Sequence, residues 1–244
     1  MVTYYNYRST EFDMELARIE TEYQRRTSDE KYSGLYSSFN EGALLLAQSV
    51  ERNLLAMLKR HSFSNLAGQK ILDVGCGSGQ WLQRFINYGA CPENLYGIDL
   101  FAQHIERAQC LYPTINWNVG SAHELPYPDT TFDLVTSFVM FSSILDTRLR
   151  RKIADEMWRV RKPSGLILFY DFTYSNPWNP AVRGITRQEI RQCFRRPETL
   201  FDFKRITLAP PIARRVAPHA YWLAFTLEQL GIFNTHIICM IHEK

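Results

Sequence analysis

Apolar positions fall into two rhythms that divide the chain into three stretches. Over residues 1 to 67 they recur at helical spacing: Leu44, Leu45, Ala47, Leu54, Leu55 and Leu58 predict a helix, with an earlier amphipathic helix before it. The aromatic, Ser-rich stretch between the two, RRTSDEKYSGLYSSFNEG, reads as an irregular segment or lid. From about 68 to 172 short apolar runs alternate with amphipathic ones. Strands are expected at 71–74, 95–98, 115–119, 132–138 and 166–170, and helices at 79–88, 102–111 and 148–160. The run at 166–170 is apolar throughout, as in a strand covered on both faces. This alternation implies a mostly parallel sheet wrapped by helices. The third stretch opens with the loop TYSNPWNP, then predicts a helix near 186–194, a strand at 200–208, a helix at 221–230 and a strand at 235–242. The Ala-Pro-Pro at 209–211 ends the first of these strands, because Pro cannot continue a ladder. Two final strands so close together imply an antiparallel pair at one sheet edge.

Composition narrows the setting. The chain has 244 residues, 45% hydrophobic and 22% charged, which suits an ordinary globular core and argues against disorder. The formal net charge is only +3, and the basic knots at 148–152 and 195–196 read as solvated helix faces, so no nucleic-acid partner is expected. Five cysteines without a CxxC pair suggest a reduced, cytoplasmic protein with neither a disulfide framework nor a structural zinc. No apolar run is long enough for a signal peptide core or a membrane span. No His/Asp/Glu cluster calls for a metal.

The chemistry concentrates in ILDVGCGSGQW, residues 71–81. An apolar strand runs into a Gly-rich turn and then a helix. Gly tolerates the tight backbone and lets a ligand lie against it, and the helix start offers unpaired N–H groups. The spacing is G-x-G-x-G rather than the G-x-G-x-x-G of a nicotinamide site, and Asp73 inside the strand would repel a pyrophosphate. Asp99 ends the next strand, LYGIDL, about two dozen residues on, where an acid can accept both hydroxyls of a ribose. GSAHELPYPDTTFDLV (120–135) and VRKPSGLILFYDF (160–172) follow in order.

In this order and spacing the four stretches resemble the class I S-adenosylmethionine methyltransferases. The resemblance implies a Rossmann-like, doubly wound α/β fold of seven strands with a C-terminal antiparallel edge pair. An N-terminal helical lid would occupy 1–67, and the methyltransferase domain 68–244, with acceptor-pocket insertions around 173–230. The cofactor would be S-adenosyl-L-methionine. Asp73, Gly75, Cys76, Gly77 and Gly79 would contact its methionine part, Asp99 its ribose, and Ser121, Ala122 and His123 its adenine, with Leu100 and Phe138 also in the cofactor site. His123 departs from the acid common in the family at or beside this place. More loosely, FSSILD, YDFTYSNPWNP, ITLAPPIARR and THIICMIHEK resemble bacterial polysaccharide and secondary-metabolite methyltransferases.

Ligands of open α/β sheets bind beyond the strands' carboxyl ends. Phe138, Met140, Phe141 and Ser142 would therefore face the transferred methyl from one strand, and Asp171, Phe172 and Tyr174 from the next. No Asn/Asp-Pro-Pro-Tyr/Phe follows 132–138, which argues against nucleobase and amide acceptors. An alcohol acceptor needs a base; His123, Asp171, His219 and His236 are the candidates. Each also has a structural reading: Asp171 as a loop cap, His219 as a surface residue, His236 as part of an edge strand. Tyr32 and Tyr36 would close over the sulfonium, and Trp178, Arg183, Arg214, Tyr221 and Trp222 would wall the acceptor. The expected activity is biosynthetic methylation of a small molecule, foremost O-methylation of a sugar, glycan precursor or natural-product scaffold. The alternatives are an RNA or protein methyltransferase and a non-catalytic cofactor-binding partner subunit.

Overall fold

The computed structural model describes residues 3–4, 12–27, 37, 39–175 and 179–244. Tyr32, Tyr36 and Trp178 lie outside these residues. The strands are β1 (Thr3–Tyr4), β2 (Ile71–Val74), β3 (Leu95–Asp99), β4 (Asn116–Val119), β5 (Phe132–Phe138), β6 (Arg161–Phe172), β7 (Thr199–Leu208) and β8 (Asn234–Glu243). The helices are α1 (Asp13–Thr27), α2 (Glu41–Arg60), α3 (Gln80–Asn87), α4 (Ala102–Leu111), α5 (Thr147–Val160), α6 (Arg187–Cys193), α7 (Pro210–Val216) and α8 (Tyr221–Leu230).

One sheet runs β1-β4-β3-β2-β5-β6-β8-β7, parallel from β1 to β6 and antiparallel at the β6·β8 and β8·β7 pairs. The expected seven-stranded, Rossmann-like sheet with its antiparallel edge is there, and Thr3–Tyr4 adds a two-residue strand beside β4.

The strand period of two sorts side chains onto two covered faces. Leu72 and Val74 of β2, Ile167 and Phe169 of β6, and Ile237, Cys239 and Ile241 of β8 pack with α1, α5 and α6. Ile71, Leu168, Tyr170, Ile238 and Met240 face the other way, toward α2, α3 and α4. Two hidden faces explain why the middle of β6 reads as an unbroken apolar run.

Two elements differ from the sequence expectation. β6 begins at Arg161, inside the polar stretch Arg161–Gly165, because the Arg161 guanidinium folds back onto Pro163 O (2.7 Å) and Gly165 O (2.8 Å) and lies over the Trp158 ring. α7 was unforeseen: the prolines that end β7 also occupy the first turn of a helix, where no N–H is required. The two N-terminal helices have separate jobs. α2 buries Val50, Leu54, Met57 and Leu58 in the sheet core, whereas α1 crosses the carboxyl ends of the strands.

Candidate active site

A cavity of about 720 Å³, including its mouth, opens between those strand ends and α1. Its floor comes from four successive βα loops: Gly75 and Gly77 after β2, Asp99 and Leu100 at β3, Gly120 to Ala122 after β4, and Phe138 to Met140 after β5. Leu16, Ile19 and Tyr23, three and four residues apart on α1, close it from above.

The turn after β2 is built on left-handed backbone, with φ 74° at Gly75, 53° at Gly77 and 84° at Gly79. The N–H groups of Gly75 and Cys76 donate to Ile98 O (2.9 and 3.1 Å), which ties the turn to β3. Gly77 and Gly79 do different work. A Cβ on Gly77 would meet nothing within 4 Å, so its bare face belongs to the cavity. A Cβ on Gly79 would stand 2.3 Å from Cη2 of buried Trp117.

Asp99 organises the middle of the floor. Its Oδ2 accepts from Gly77 N (2.8 Å), and its Oδ1 accepts from Phe101 N (3.0 Å) and lies 3.1 Å from His104 Nδ1. Oδ2 thus keeps a lone pair for a ribose hydroxyl. His104, itself on the cavity wall, escaped the sequence reading; its only signal is a His five residues after the strand-ending acid.

Of the residues nominated from sequence, Gly75, Gly77, Asp99, Leu100, Ser121, Ala122 and Phe138 line the cavity. Asp73, Cys76 and Gly79 do not. Asp73 is 1% exposed beneath the turn, where its Oδ1 accepts from Thr136 Oγ1 (2.8 Å). Burial, reinforced by the charge of Asp99 and opposed by Thr136, pushes its carboxyl up to about 7. The Cys76 thiol points into the opposite core, and burial raises it well above its ordinary value. These residues shape the turn from below.

The four candidate bases need the same correction, since the structure does not bring them together and none lines the cavity. His123 is buried beside Phe12, with Nδ1 2.6 Å from Ser121 Oγ, and burial lowers its pKa. Asp171 is wholly buried and accepts from Ser142 N (2.9 Å) and Phe172 N (2.8 Å); burial, against those bonds, lifts it to about 6. It anchors the turn at Phe141–Ser143, not the loop that follows it in sequence. His219 is exposed between α7 and α8. His236 packs on Tyr170 in β8, one layer beyond the cavity. Of the nominated wall residues, Arg183 is paired with Glu189 (2.8 Å) and Trp222 is 71% exposed on α8.

What sequence reasoning missed most is how α1 is held. Glu15 accepts from the N–H groups of Leu145 and Asp146, and Arg18 Nη2 donates to Ser143 O (2.6 Å). Burial opposes ionisation of Glu15, yet Arg18 and the Leu145 N–H hold its carboxyl below the ordinary value. α1 is thereby latched to the loop that supplies Ser143 and Ile144 to the cavity. Glu15→Ala is expected to weaken binding of S-adenosylhomocysteine about 10-fold in calorimetric titration, because the charge-assisted hydrogen bonds of this partly buried carboxylate contribute ~1.5 kcal/mol.

Asp73 gives a pH prediction with a definite sign. Its pKa is raised in the folded state, so its contribution to stability is full below the unfolded value of 3.8 and is lost as pH rises through about 7. Asp73→Asn removes this dependence. Relative to wild type, the variant should gain ~2–3 kcal/mol in urea denaturation between pH ~5 and pH ~8.

Residues 71–165 match a family described as a methyltransferase domain. A solved S-adenosylmethionine-dependent methyltransferase from Mesorhizobium loti superposes with a TM-score of 0.55 at 18% identity, over 76% of this chain and 95% of that one. Residues 71–165 thus carry a methyltransferase domain, on the fold of solved S-adenosylmethionine-dependent methyltransferases. Among curated relatives, a malonyl-[acyl-carrier protein] O-methyltransferase from Erwinia billingiae is 33% identical over 42% of this chain and 38% of its own length. A demethylmenaquinone methyltransferase from Lysinibacillus sphaericus is also 33% identical, over 44% of this chain and 46% of its own. The chain thus spans less than half of either relative.

The cofactor of the family is S-adenosylmethionine, and the cavity fits it. The bare Gly77 face admits a ligand against the backbone, Asp99 retains an acceptor for the ribose, Ser121 and Ala122 flank the β4 end, and apolar Phe138, Val139 and Met140 border the other. Among the described residues no group of three His, Cys, Asp or Glu could hold a metal ion, and no helix is long and apolar enough to cross a membrane.

Proposed function

We propose that the chain methylates a small molecule, foremost at a hydroxyl of a sugar, glycan precursor or natural-product scaffold. The observation that carries this reading is one continuous cavity with an acid at its centre and an apolar end at Phe138, Val139 and Met140. S-adenosylmethionine supplies an electrophilic methyl on a sulfonium. Asp99 and the Gly75–Gly77 backbone hold the donor in register. Phe138, Val139 and Met140 border the end where the acceptor would enter, which favours displacement by proximity. The sulfonium would leave as the neutral thioether, and the hydroxyl proton would pass to water at the cavity mouth, since none of the four candidate bases lines the cavity. α1 seals the cavity through Leu16, Ile19 and Tyr23. The relatives named for malonyl-[acyl-carrier protein] and demethylmenaquinone support methyl transfer to non-polymeric groups. The modest net charge favours small molecules over RNA.

The test is incubation with methyl-labelled S-adenosylmethionine and separate pools of hydroxylated small molecules, RNA and protein. Label in the small-molecule pool is the expected result. Label confined to RNA or protein contradicts the acceptor class, and binding of the donor without transfer to any pool favours the non-catalytic partner subunit.

A further inference from the structure

Beside the cavity the carboxyl edge of the sheet carries a run of rings. Trp81 stacks on Phe138 (4.2 Å between centroids, 10° between planes), Phe138 tilts against Tyr170 (6.2 Å, 51°), and Tyr170 stacks on His236 (5.3 Å, 10°). They come from α3, β5, β6 and β8. Phe138 alone of the four lines the cofactor cavity. Phe138 and Tyr170 are buried, whereas Trp81 and His236, at the two ends, remain partly exposed.

Two of the five described non-Gly residues in left-handed backbone lie at the same place. Val139 (φ 55°) and Thr207 (φ 64°) are β-branched residues in left-handed backbone, which such side chains avoid. Both hold Tyr170: Val139 N–H donates to Tyr170 O (2.8 Å), and the Thr207 hydroxyl lies 3.2 Å from the Tyr170 hydroxyl. At Thr207 the chain leaves the β7–β8 ladder. Ile206 and Leu208 pair with His236 and Asn234, while Thr207 N–H turns to Ser49 Oγ (3.1 Å). Strain of this kind persists where the surroundings over-determine it, and it gathers at ligand sites.

We propose that this wall is the acceptor subsite and that it takes a planar aromatic ring carrying a hydroxyl, or another hydrogen-bond donor, at the end remote from the cofactor. The proposal rests on the methyl-transfer reading above and narrows its acceptor. The rings cover one another's faces and Arg84 lies over Trp81, so the wall offers ring edges and the partly exposed Trp81 and His236, which suit edge-to-face contact with a flat π-system. His236 Nδ1 lies 3.1 Å from Thr235 Oγ1, so Nε2 is the ring nitrogen left for a ligand. Burial pushes the imidazole down to about 4, so at neutral pH it is uncharged, and Nε2 accepts in the tautomer whose Nδ1–H donates to Thr235 Oγ1. The Tyr170 hydroxyl is engaged by Thr207, which leaves the wall with too few polar partners for a polyol.

The experiment is titration of the protein saturated with S-adenosylhomocysteine, using 2-naphthol, 2,6-dihydroxynaphthalene and methyl glucoside as probes. Both naphthalenes should bind saturably, the diol about five-fold tighter through one neutral hydrogen bond, and the glucoside should not. His236→Phe keeps the ring stack; it should leave 2-naphthol binding intact and cancel the advantage of the diol. Trp81→Leu should weaken both naphthalenes by about five-fold with little change for S-adenosylhomocysteine. Failure of both naphthalenes to bind protein that binds S-adenosylhomocysteine overturns the proposal. So does a glucoside that binds as well as they do, or a diol preference that survives in His236→Phe. All three leave the methyl-transfer reading standing. Absence of S-adenosylhomocysteine binding overturns that reading too.

Discussion

Asp99→Ala is expected to weaken S-adenosylhomocysteine binding by more than ~100-fold, from the combined loss of charge-assisted bonds at about 1.5–3 kcal/mol each. The carboxylate serves two sides at once. Toward the protein it holds Gly77 N, Phe101 N and His104, which fixes the Gly turn against the start of α4. Toward the cavity it offers the remaining lone pair of Oδ2. Removing it leaves N–H groups without a partner and a ribose without an acceptor. Asp99→Asn keeps the shape but sets an amide against Gly77 N–H, and it should fall between wild type and Ala. His104→Ala touches only one arm of the network and should cost a few-fold. Titration of the three variants gives the order, and an Asp99→Ala affinity within a few-fold of wild type would contradict the role assigned to this carboxylate.

Gly79→Ala should be the most destabilising of these changes, by ~3–5 kcal/mol in urea denaturation, from overpacking and left-handed backbone strain together. The added Cβ would stand 2.3 Å from Trp117 Cη2. The ring cannot retreat: it is 2% exposed, its Nε1 is tied to Tyr112 O (2.9 Å), and Gly97 presses on it from β3. Trp117→Leu in the same chain should restore part of the loss, because it removes the atoms the Cβ meets. A Gly79→Ala protein as stable as wild type would mean that the turn relaxes away from β4.

These two residues show what a linear pattern can carry. The G-x-G-x-G turn and the acid ending β3 were legible because strand, turn and helix lie next to one another in sequence. The bounds of β5, α4 and α8 were likewise fixed locally by apolar runs and helical spacing. The start of β6 was hidden because Arg161 satisfies its strand through contacts with its own following loop. The cover of the cavity was hidden for a different reason. Leu16, Ile19 and Tyr23 form a readable stripe, but the Glu15 and Arg18 contacts that say where the stripe docks reach more than a hundred residues along the chain. The same limit misled the search for a base. His123 and Asp171 stand at the right loops, yet each turns its polar atoms into the protein, toward Ser121 Oγ and Ser142 N. Position after a strand predicts a loop's place, and side-chain direction depends on partners that the local pattern does not name.

The cavity under α1, with Asp99 at its centre, has the lining of an S-adenosylmethionine site. Calorimetric titration of the wild-type protein with S-adenosylhomocysteine tests it most directly. Saturable one-to-one binding in the micromolar range, lost in Asp99→Ala, is the expected result. Folded wild-type protein that gives no binding heat with S-adenosylhomocysteine, or binds NAD in its place, would contradict it.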